Sequence, residues 1–393
     1  MSQDQVNLEL GEDYPELRES IRRICEKYPL EYWLKLEEES GYPSEFVAEL
    51  TEGGFLAVLI PEEYGGAGLP LRAAAVILEE INGCGCQASP AHAQMYIMGT
   101  LLRHGSEEQK KEFLPQIADG SLRLQAFGVT EPTTGSDTTQ LKTRAVKDGN
   151  YHYVINGQKV FTSRALFSDL MLLLARTTPL DQVSKKTEGI SVFLIDLREA
   201  RGNGMDIRPI RALMNHNTTE VFIENLRVPA TALVGKEGEG FRYILDGMNA
   251  ERILVASECV GDGRYMIRRA VEYANERVVF KRPIGANQGV QFPIARAYAE
   301  LEAADLMCRK AAALFDAYRP CGGEANMAKL LASEATWKAA DTALQTFGGF
   351  GYASEYGIER KWRESRIYQT APISTNLILA YVAQHILGLP RSY

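Results

Sequence analysis

The residues best suited to bind a ligand lie in a loop rich in threonine, serine and glycine. This loop runs from Phe127 to Asp137 (F-G-V-T-E-P-T-T-G-S-D) and is bounded by apolar residues. Its hydroxyl and backbone N–H groups are donors suited to a polar, planar ligand. The same composition is also typical of a complex turn that binds nothing. The loop by itself therefore leaves ligand binding and a purely structural turn open.

The cysteines, histidines and glycine clusters do not match common metal or phosphate motifs. Cys84 and Cys86 are too close together for a zinc knuckle, and no second cysteine pair matches them. We expect no metal site and mostly buried, reduced thiols at Cys25, Cys84, Cys86, Cys259, Cys308 and Cys321. The clusters at 235–240 and 348–351 lack P-loop spacing, and no G-x-G-x-x-G follows a predicted strand. Each cluster is expected to be a turn.

The period of the hydrophobic pattern indicates which elements position these residues. From Pro15 to about Asp119 the spacing is helical. Between about Gly128 and Leu233 it becomes strand-like, with strands expected at 170–176, 190–197 and 220–223. The pair Asn156-Gly157 predicts a hairpin turn, with a return strand that begins at Lys159. After Gly240 helices return, including 294–318, 325–346 and 377–387.

Charge and hydropathy exclude two classes of partner. The 393 residues include 43 Lys plus Arg and 51 Asp plus Glu, so the formal net charge of −8 would repel a nucleic acid. No apolar run approaches the about 18 residues of a membrane helix, and Leu170 to Ala175 fits a buried strand. The polar start M-S-Q-D-Q resembles neither a signal nor a transit peptide. We expect a cytoplasmic protein that binds neither nucleic acid nor membrane.

Four motifs, in order along the chain, resemble those of the FAD-dependent acyl-CoA dehydrogenases. The loop at 127–137 is similar to T-E-P-x-x-G-S-D, and 156–163 resembles N-G-x-K-x-W-I-T. Arg277 to Phe280 with Gln288 resembles R-x-x-F…Q, and 345–351 resembles Q-x-x-G-G-x-G. The resemblance covers essentially the whole chain. It implies an α+β multidomain fold with an N-terminal α-helical domain (1–124), a middle β-barrel or sandwich domain (125–236) and a C-terminal four-helix bundle (237–393).

The resemblance also implies which residues hold FAD within one subunit. Those expected to line the isoalloxazine ring are Phe127, Val129 and Thr130, with Thr130 hydrogen-bonded to it. Ser136 would lie near the pyrophosphate and near the CoA arm of the substrate. Phe161 stands where the family has tryptophan, and Ser163 where it has threonine near flavin N5. An aromatic face and a hydroxyl donor are thus retained.

A second set would hold FAD across a subunit boundary, which implies a homo-oligomer, usually a tetramer. Its members are Arg277, Phe280, Gln288, Gln345 and Gly349. Ser374 and Thr375 are also expected to bind the cofactor. For Arg277 and Gln345, a surface salt bridge or a helix cap is the alternative.

The family's reaction converts an acyl-CoA thioester to the trans-2-enoyl-CoA. A glutamate removes the α-proton, flavin N5 accepts the β-hydride, and an electron-transfer flavoprotein takes the electrons. In many members this glutamate lies in an I-Y-E-G-T segment after R-D-A-K. In the ungapped register from Arg363, that position is Pro372, which cannot accept a proton.

Glu251 is therefore the candidate base. Isovaleryl- and long-chain-type members take the glutamate from an E-R pair on the first long C-terminal helix, and Glu251-Arg252 stands 26 residues before Arg277. We expect the opening turn of this helix to place Glu251 beside Leu254 and Val255, which would desolvate it. Arg252 would lie near the base or the CoA chain and hold Glu251 ionised. The alternative is a solvated glutamate stabilised by the helix dipole.

Pro372 also lacks the backbone N–H that, in the family, binds the thioester oxygen together with the flavin ribityl 2′-hydroxyl. Either Ala371 or Ile373 donates instead, or the ribityl hydroxyl acts with less help, at a cost on the order of 10²-fold in rate. Two other functions stay open on the same fold. One is a flavin oxidase or monooxygenase, and the other is an FAD-binding relative without turnover.

Overall fold

The computed structural model describes residues 10–391, which form two compact units. The helical unit comprises the described chain up to Lys35, Pro70–Ala88 and the chain from Asn249 onward. The sheet unit comprises Leu36–Leu69 and Ser89–Met248. The helices are α1 Pro15–Cys25, α2 Leu30–Glu39, α3 Ser44–Glu52, α4 Leu71–Gly83, α5 Ser89–His104, α6 Glu107–Asp119, α7 Leu197–Ala200, α8 Gly240–Glu276, α9 Gln288–Asp316, α10 Gly322–Phe347, α11 Ile358–Ile367 and α12 Thr375–Tyr381.

The sheet unit is built on an eight-stranded sheet with the order β6-β7-β3-β2-β4-β5-β8, in which β1 pairs with β4. The strands are β1 Leu124–Gly128, β2 Arg144–Asp148, β3 His152–Ser163, β4 Leu170–Arg176, β5 Ile190–Asp196, β6 Met205–Pro209, β7 Thr218–Pro229 and β8 Leu233–Val234. Parallel pairing of β1 with β4 places Phe127 opposite Leu172. The end of β1, where the candidate loop begins, is therefore anchored to a buried strand.

Strand β4 is apolar throughout because both of its faces are buried. Leu170, Leu172 and Leu174 pack into one hydrophobic cluster. Met171 and Leu173 pack into another cluster on the opposite face. Since side chains alternate along a strand, a strand covered on both faces reads as an uninterrupted apolar run.

The predicted hairpin turn at Asn156-Gly157 is wrong. Strand β3 continues through these residues and pairs with β7, with a shift in register between Ile155 and Gly157. The Asn156 side chain accepts a hydrogen bond from the Asn225 N–H at 2.8 Å, on the facing strand. A Cβ at Gly157 would lie 2.7 Å from the Thr143 Cα, so close backbone approach explains this glycine. The dipeptide marks a β-bulge.

The helical unit packs α8, α9 and α10 closely through small residues. A Cβ at Gly263 of α8 would lie 2.6 Å from the Leu301 side chain of α9 and 3.2 Å from the Thr336 hydroxyl of α10. The predicted helices of this region are confirmed, with one difference at the helix expected at 377–387. Its α-helical part ends at Tyr381, and a π-helical turn, Val382–Ile386, follows. Among residues 10–391, the structure contains no helix with the length and hydropathy of a membrane span.

Candidate active site

In the sheet unit, the buried Glu131 organises the loop that follows β1. Its carboxylate accepts hydrogen bonds from the Lys142 N–H at 2.6 Å and the Thr143 N–H at 2.9 Å. The Lys159 ammonium donates to the same carboxylate at 2.8 Å. Burial would raise the pKa of Glu131, but the Lys159 charge and these donors outweigh it, so the pKa is lowered. Glu131 is thus an ionised anchor for the backbone.

Lys159 joins the two motifs that the sequence analysis selected in this unit. Its ammonium also donates to the Val129 carbonyl at 3.2 Å, and the Val160 N–H donates to the Thr130 carbonyl at 2.9 Å. Burial lowers the pKa of Lys159 to about 8, although Glu131 opposes this. The structural roles of Glu131 and Lys159 were missed, although both lie inside the quoted motifs, because a motif does not show which charges pair.

The residues expected to face the isoalloxazine lie around this junction with much of their surface available. Phe161, at φ 58°, is 65% exposed although it is aromatic. Four other residues expected at the flavin are partly buried, namely Phe127, Val129, Thr130 and Ser163. Ser136 is exposed on the loop. The structure therefore brings together an aromatic face and hydroxyl donors from two distant motifs.

In the helical unit, Glu251 lies inside α8 rather than in its opening turn. The helix begins at Gly240, so Glu251 is about three turns along it. Its side chain is only 6% exposed, and Ile253, Leu254 and Val255 are also buried. The expected opening-turn position is wrong, and so is the alternative of a solvated residue at the helix start. Burial beside apolar neighbours is confirmed.

Two cations act on Glu251 electrostatically. Arg252 follows it in the chain, donates to the Asn249 side chain at 3.1 Å and has its pKa lowered by burial, which Glu251 opposes. Lys329 of α10 is fully buried. The pKa of Lys329 is lowered to about 8, chiefly by burial and also by Arg252, while Cys259 and Glu251 act in the opposite direction. The sequence analysis had no signal for Lys329, because an alanine-rich helix commonly carries solvated lysines.

The turn that follows α11 is tied to Lys329. The Lys329 ammonium donates to the Ile373 carbonyl at 2.7 Å. The Ala371 N–H donates to the Ile367 carbonyl at 2.9 Å, so it is already engaged. Pro372 has no N–H, and within residues 10–391 no acceptor engages the N–H of Ile373. Of the two donors considered for this turn, only the Ile373 N–H is available.

Ser374 and Thr375, which were expected to bind cofactor, begin the next helix. The Ser374 hydroxyl accepts from the Leu377 N–H at 3.4 Å and caps α12. The Thr375 hydroxyl donates to the Gln369 carbonyl at 3.3 Å. Both residues stay partly accessible while they hold the turn.

The residues expected to reach a neighbouring subunit are exposed in the helical unit. Phe280 is 96% exposed at the tip of a hairpin formed by β9 Val278–Val279 and β10 Arg282–Pro283. Phe280 and Lys281 both have positive φ, as a tight hairpin turn requires. The Arg277 guanidinium lies 5.7 Å from the centre of the Phe350 ring. Gln288, Gln345 and Gly349 are exposed as well.

Comparisons with known proteins agree along the whole length of the chain. Models of the acyl-CoA dehydrogenase N-terminal, middle and C-terminal domains match residues 11–121, 126–226 and 238–387. The acyl-CoA dehydrogenase FadE12 of Mycobacterium tuberculosis is 38% identical over 386 residues, which cover 98% of both chains. The chain belongs to the acyl-CoA dehydrogenase family. It is an FAD-dependent oxidoreductase that dehydrogenates acyl-CoA thioesters.

Two further relatives of this acyl-CoA dehydrogenase have names that state their substrates. The cyclohex-1-ene-1-carbonyl-CoA dehydrogenase of Syntrophus aciditrophicus is 35% identical and covers 97% of this chain and 91% of its own. A solved glutaryl-coenzyme A dehydrogenase in complex with glutaryl-CoA is 31% identical, with a TM-score of 0.89 and 98% of each chain covered. The helical and β architecture expected from the sequence is therefore confirmed.

The side chains of this acyl-CoA dehydrogenase fit FAD. A flavin needs an apolar or aromatic surface for its ring and donors for the ring oxygens and nitrogens. The exposed Phe161 ring and the partly buried residues Thr130 and Ser163 would supply these groups in the sheet unit. The partly exposed Phe127 and Val129 add apolar surface next to them.

Proposed function

We propose that Glu251 is the base that removes the α-proton of the acyl-CoA. The observation that carries this proposal is an acidic side chain buried within α8 that acts electrostatically on Arg252 and Lys329. A base of this kind needs a water-poor site, because desolvation brings its proton affinity nearer to the working pH. The charges of the two cations act against this effect, because a nearby cation favours the ionised form of a carboxylate.

Bound FAD supplies the acceptor for the electron pair that leaves the β-carbon. Phe127, Val129, Thr130, Phe161 and Ser163 would hold its ring, and Ser136 would lie toward the pyrophosphate and the CoA arm. Their part is to orient a planar group and exclude water from it. Arg252 would then balance the charge of the base and contact the substrate.

The thioester oxygen becomes more negative as the α-proton leaves, so a nearby donor accelerates the step. We propose that the Ile373 N–H is this donor, since the Ala371 N–H is engaged within the turn and Pro372 has none. Lys329 acts as a positioning residue, because its bond to the Ile373 carbonyl restrains the peptide that follows this N–H.

The test of the base is Glu251→Gln in the FAD-loaded protein, mixed with a panel of acyl-CoAs while bleaching of the flavin band is followed. We expect FAD to stay bound and the rate of flavin reduction to fall by about 10²- to 10⁴-fold. The matched control is Glu258→Gln, which changes another buried glutamate on the same helix and should leave flavin reduction nearly unchanged. Near-normal reduction in Glu251→Gln would overturn the proposal.

We also propose that the protein is a homotetramer in which each subunit completes its neighbour's FAD site. Support comes from the exposed set formed by Arg277, Phe280, Gln288, Gln345 and Gly349, which matches the family's cross-subunit positions. Phe280→Ala should release FAD during gel filtration, whereas Tyr318→Ala, equally exposed in the same unit, should not. If native mass spectrometry detected a monomer that retains FAD, that result would contradict this arrangement.

The electron acceptor and the compartment are two further proposals. We propose an electron-transfer flavoprotein as acceptor, so the reduced enzyme should be reoxidised faster by that protein than by air. We propose a cytoplasmic location, and the six free thiols agree with a reducing compartment.

A further inference from the structure

Three cysteine thiols lie together in the helical unit, outside the site described above. Cys25 is the last residue of α1, and Cys84 directly follows α4. Cys25 and Cys84 line the same cavity, so the packing of α1 against the end of α4 brings these two side chains to one place. The Cys86 sulfur also lies 4.0 Å from the Cys25 carbonyl and 3.9 Å from the Tyr28 carbonyl. Tertiary packing thus joins Cys25 to a pair with which it shares no sequence motif.

The three thiols differ in access to solvent. Cys25 and Cys86 are buried, whereas Cys84 is partly exposed. A cavity of about 420 Å³ is lined by Cys25 and Cys84, together with Arg22, Arg268 and Glu80. A small solute can therefore reach Cys84, and Cys25 lies beside it.

Charge and hydrogen bonding favour the thiolate of Cys84. The hydrogen bond from Cys25 is the largest cause that lowers the pKa of Cys84, and Arg268 and Arg22 act in the same direction. Burial and the Glu80 carboxylate oppose them. The thiolate is the reactive form of cysteine, and accessible thiols next to cations are the ones that oxidise first.

We propose that Cys84 is a peroxide-reactive thiol and that Cys25 is its resolving partner, so that hydrogen peroxide closes a disulfide between α1 and the end of α4. The Cys84 thiolate attacks one peroxide oxygen, an S–O bond forms, the O–O bond breaks, and the hydroxide that leaves takes a proton to become water. The Cys25 sulfur then attacks the sulfenic sulfur, the S–S bond forms, and the S–O bond breaks. The sulfenic oxygen leaves with the Cys25 proton as a second water. Two thiols lose two electrons in total, and one peroxide is reduced to two waters.

Cys25 is favoured over Cys86 as the partner for a geometric reason. Only Gly85 separates Cys84 from Cys86, so a disulfide between them would close a very small ring. The Cys86 sulfur instead lies against backbone carbonyls. Cys86 therefore serves as the internal control.

The test uses the full-length, FAD-loaded protein treated with a small excess of hydrogen peroxide, alkylated and digested without reductant. Mass spectrometry should show the Cys25 peptide joined to the Cys84 peptide with a loss of about 2 Da, and reductant should reverse it. Cys86→Ser should retain this link, and Cys25→Ser should instead accumulate a Cys84 sulfenic acid that dimedone traps.

A second measurement needs no variant. Limited alkylation of the unmodified protein should label Cys84 at least about tenfold faster than the fully buried Cys308. The proposal is overturned if Cys84 is labelled no faster than Cys308. It is also overturned if peroxide leaves the Cys25 and Cys84 thiols free, or links Cys84 to Cys86 instead.

Discussion

Each unit of the protein holds a fully buried lysine at its candidate site, and the two lysines have different surroundings. Lys159 of the sheet unit contacts the Glu131 carboxylate at 2.8 Å, and that carboxylate also accepts two backbone N–H groups. Lys329 of the helical unit donates to the Ile373 carbonyl and acts electrostatically on both Glu251 and Arg252. Burial lowers the pKa of each lysine to about 8.

This difference indicates two uses of a buried ammonium group. Lys159 forms an ion pair with a carboxylate that also accepts hydrogen bonds from the backbone, so the pair fixes the shape of the loop. The charge of Lys329 lies near the proposed base and shares its surroundings with a second cation. We infer that Lys159 matters chiefly for stability and FAD retention, and Lys329 for the pH dependence of catalysis.

The largest effect is expected from Lys159→Met. It leaves the Glu131 carboxylate buried without its counter-ion, which should lower the free energy of unfolding by about 3–5 kcal/mol and weaken FAD retention. Denaturant unfolding of the FAD-loaded protein measures this loss. The matched control is Lys147→Met, which breaks a 2.7 Å ion pair with Glu237 at a position 62% exposed and should cost less than about 1 kcal/mol. Equal losses in the two variants would contradict the structural role of Lys159.

The next largest effect is expected from Lys329→Met. It removes the donor to the Ile373 carbonyl, which should cost about 1–3 kcal/mol of stability, less than Lys159→Met. Because a nearby cation favours the ionised carboxylate, its loss should move the acidic limb of the kcat/KM profile to higher pH. Lys329→Arg, which keeps the charge, should restore that limb.

Two controls separate this prediction from a general loss of structure. Lys338→Met on the same helix breaks an exposed pair with Glu300 and should leave the pH profile unchanged. Hydrogen exchange of the 369–376 segment should rise in Lys329→Met, and this readout requires no turnover. An unshifted acidic limb in Lys329→Met would remove the proposed distinction between the two lysines.

The smallest effect is expected when Lys159 and its partner Glu131 are both changed. Lys159→Met combined with Glu131→Gln removes both charges and keeps an acceptor for one of the two backbone N–H groups. The loss of stability should shrink to about 1–2 kcal/mol, because one N–H stays unpaired. If the double variant were as unstable as Lys159→Met alone, an uncompensated carboxylate would not be the cause.

The predictions from the sequence succeeded where a feature depends on local pattern. The apolar run at Leu170–Arg176 was read as a buried strand, and it is one because both of its faces are covered. The helical spacing around Glu251 likewise predicted its apolar neighbours. The turn at Asn156-Gly157 failed because pairing with β7 overrides the local preference of that dipeptide for a hairpin.

The sequence by itself determined the order of helices and strands, the family motifs and the placement of Glu251 on a long helix. These features depend on residues close together in the chain, whose spacing sets periodicity and turn chemistry. Only the tertiary structure decided that Lys159 contacts Glu131, that Lys329 donates to the Ile373 carbonyl, and that Cys25 and Cys84 line one cavity. Such pairs are made by packing between distant segments, and burial, which a one-dimensional pattern does not encode, gives their charges and thiols their chemistry.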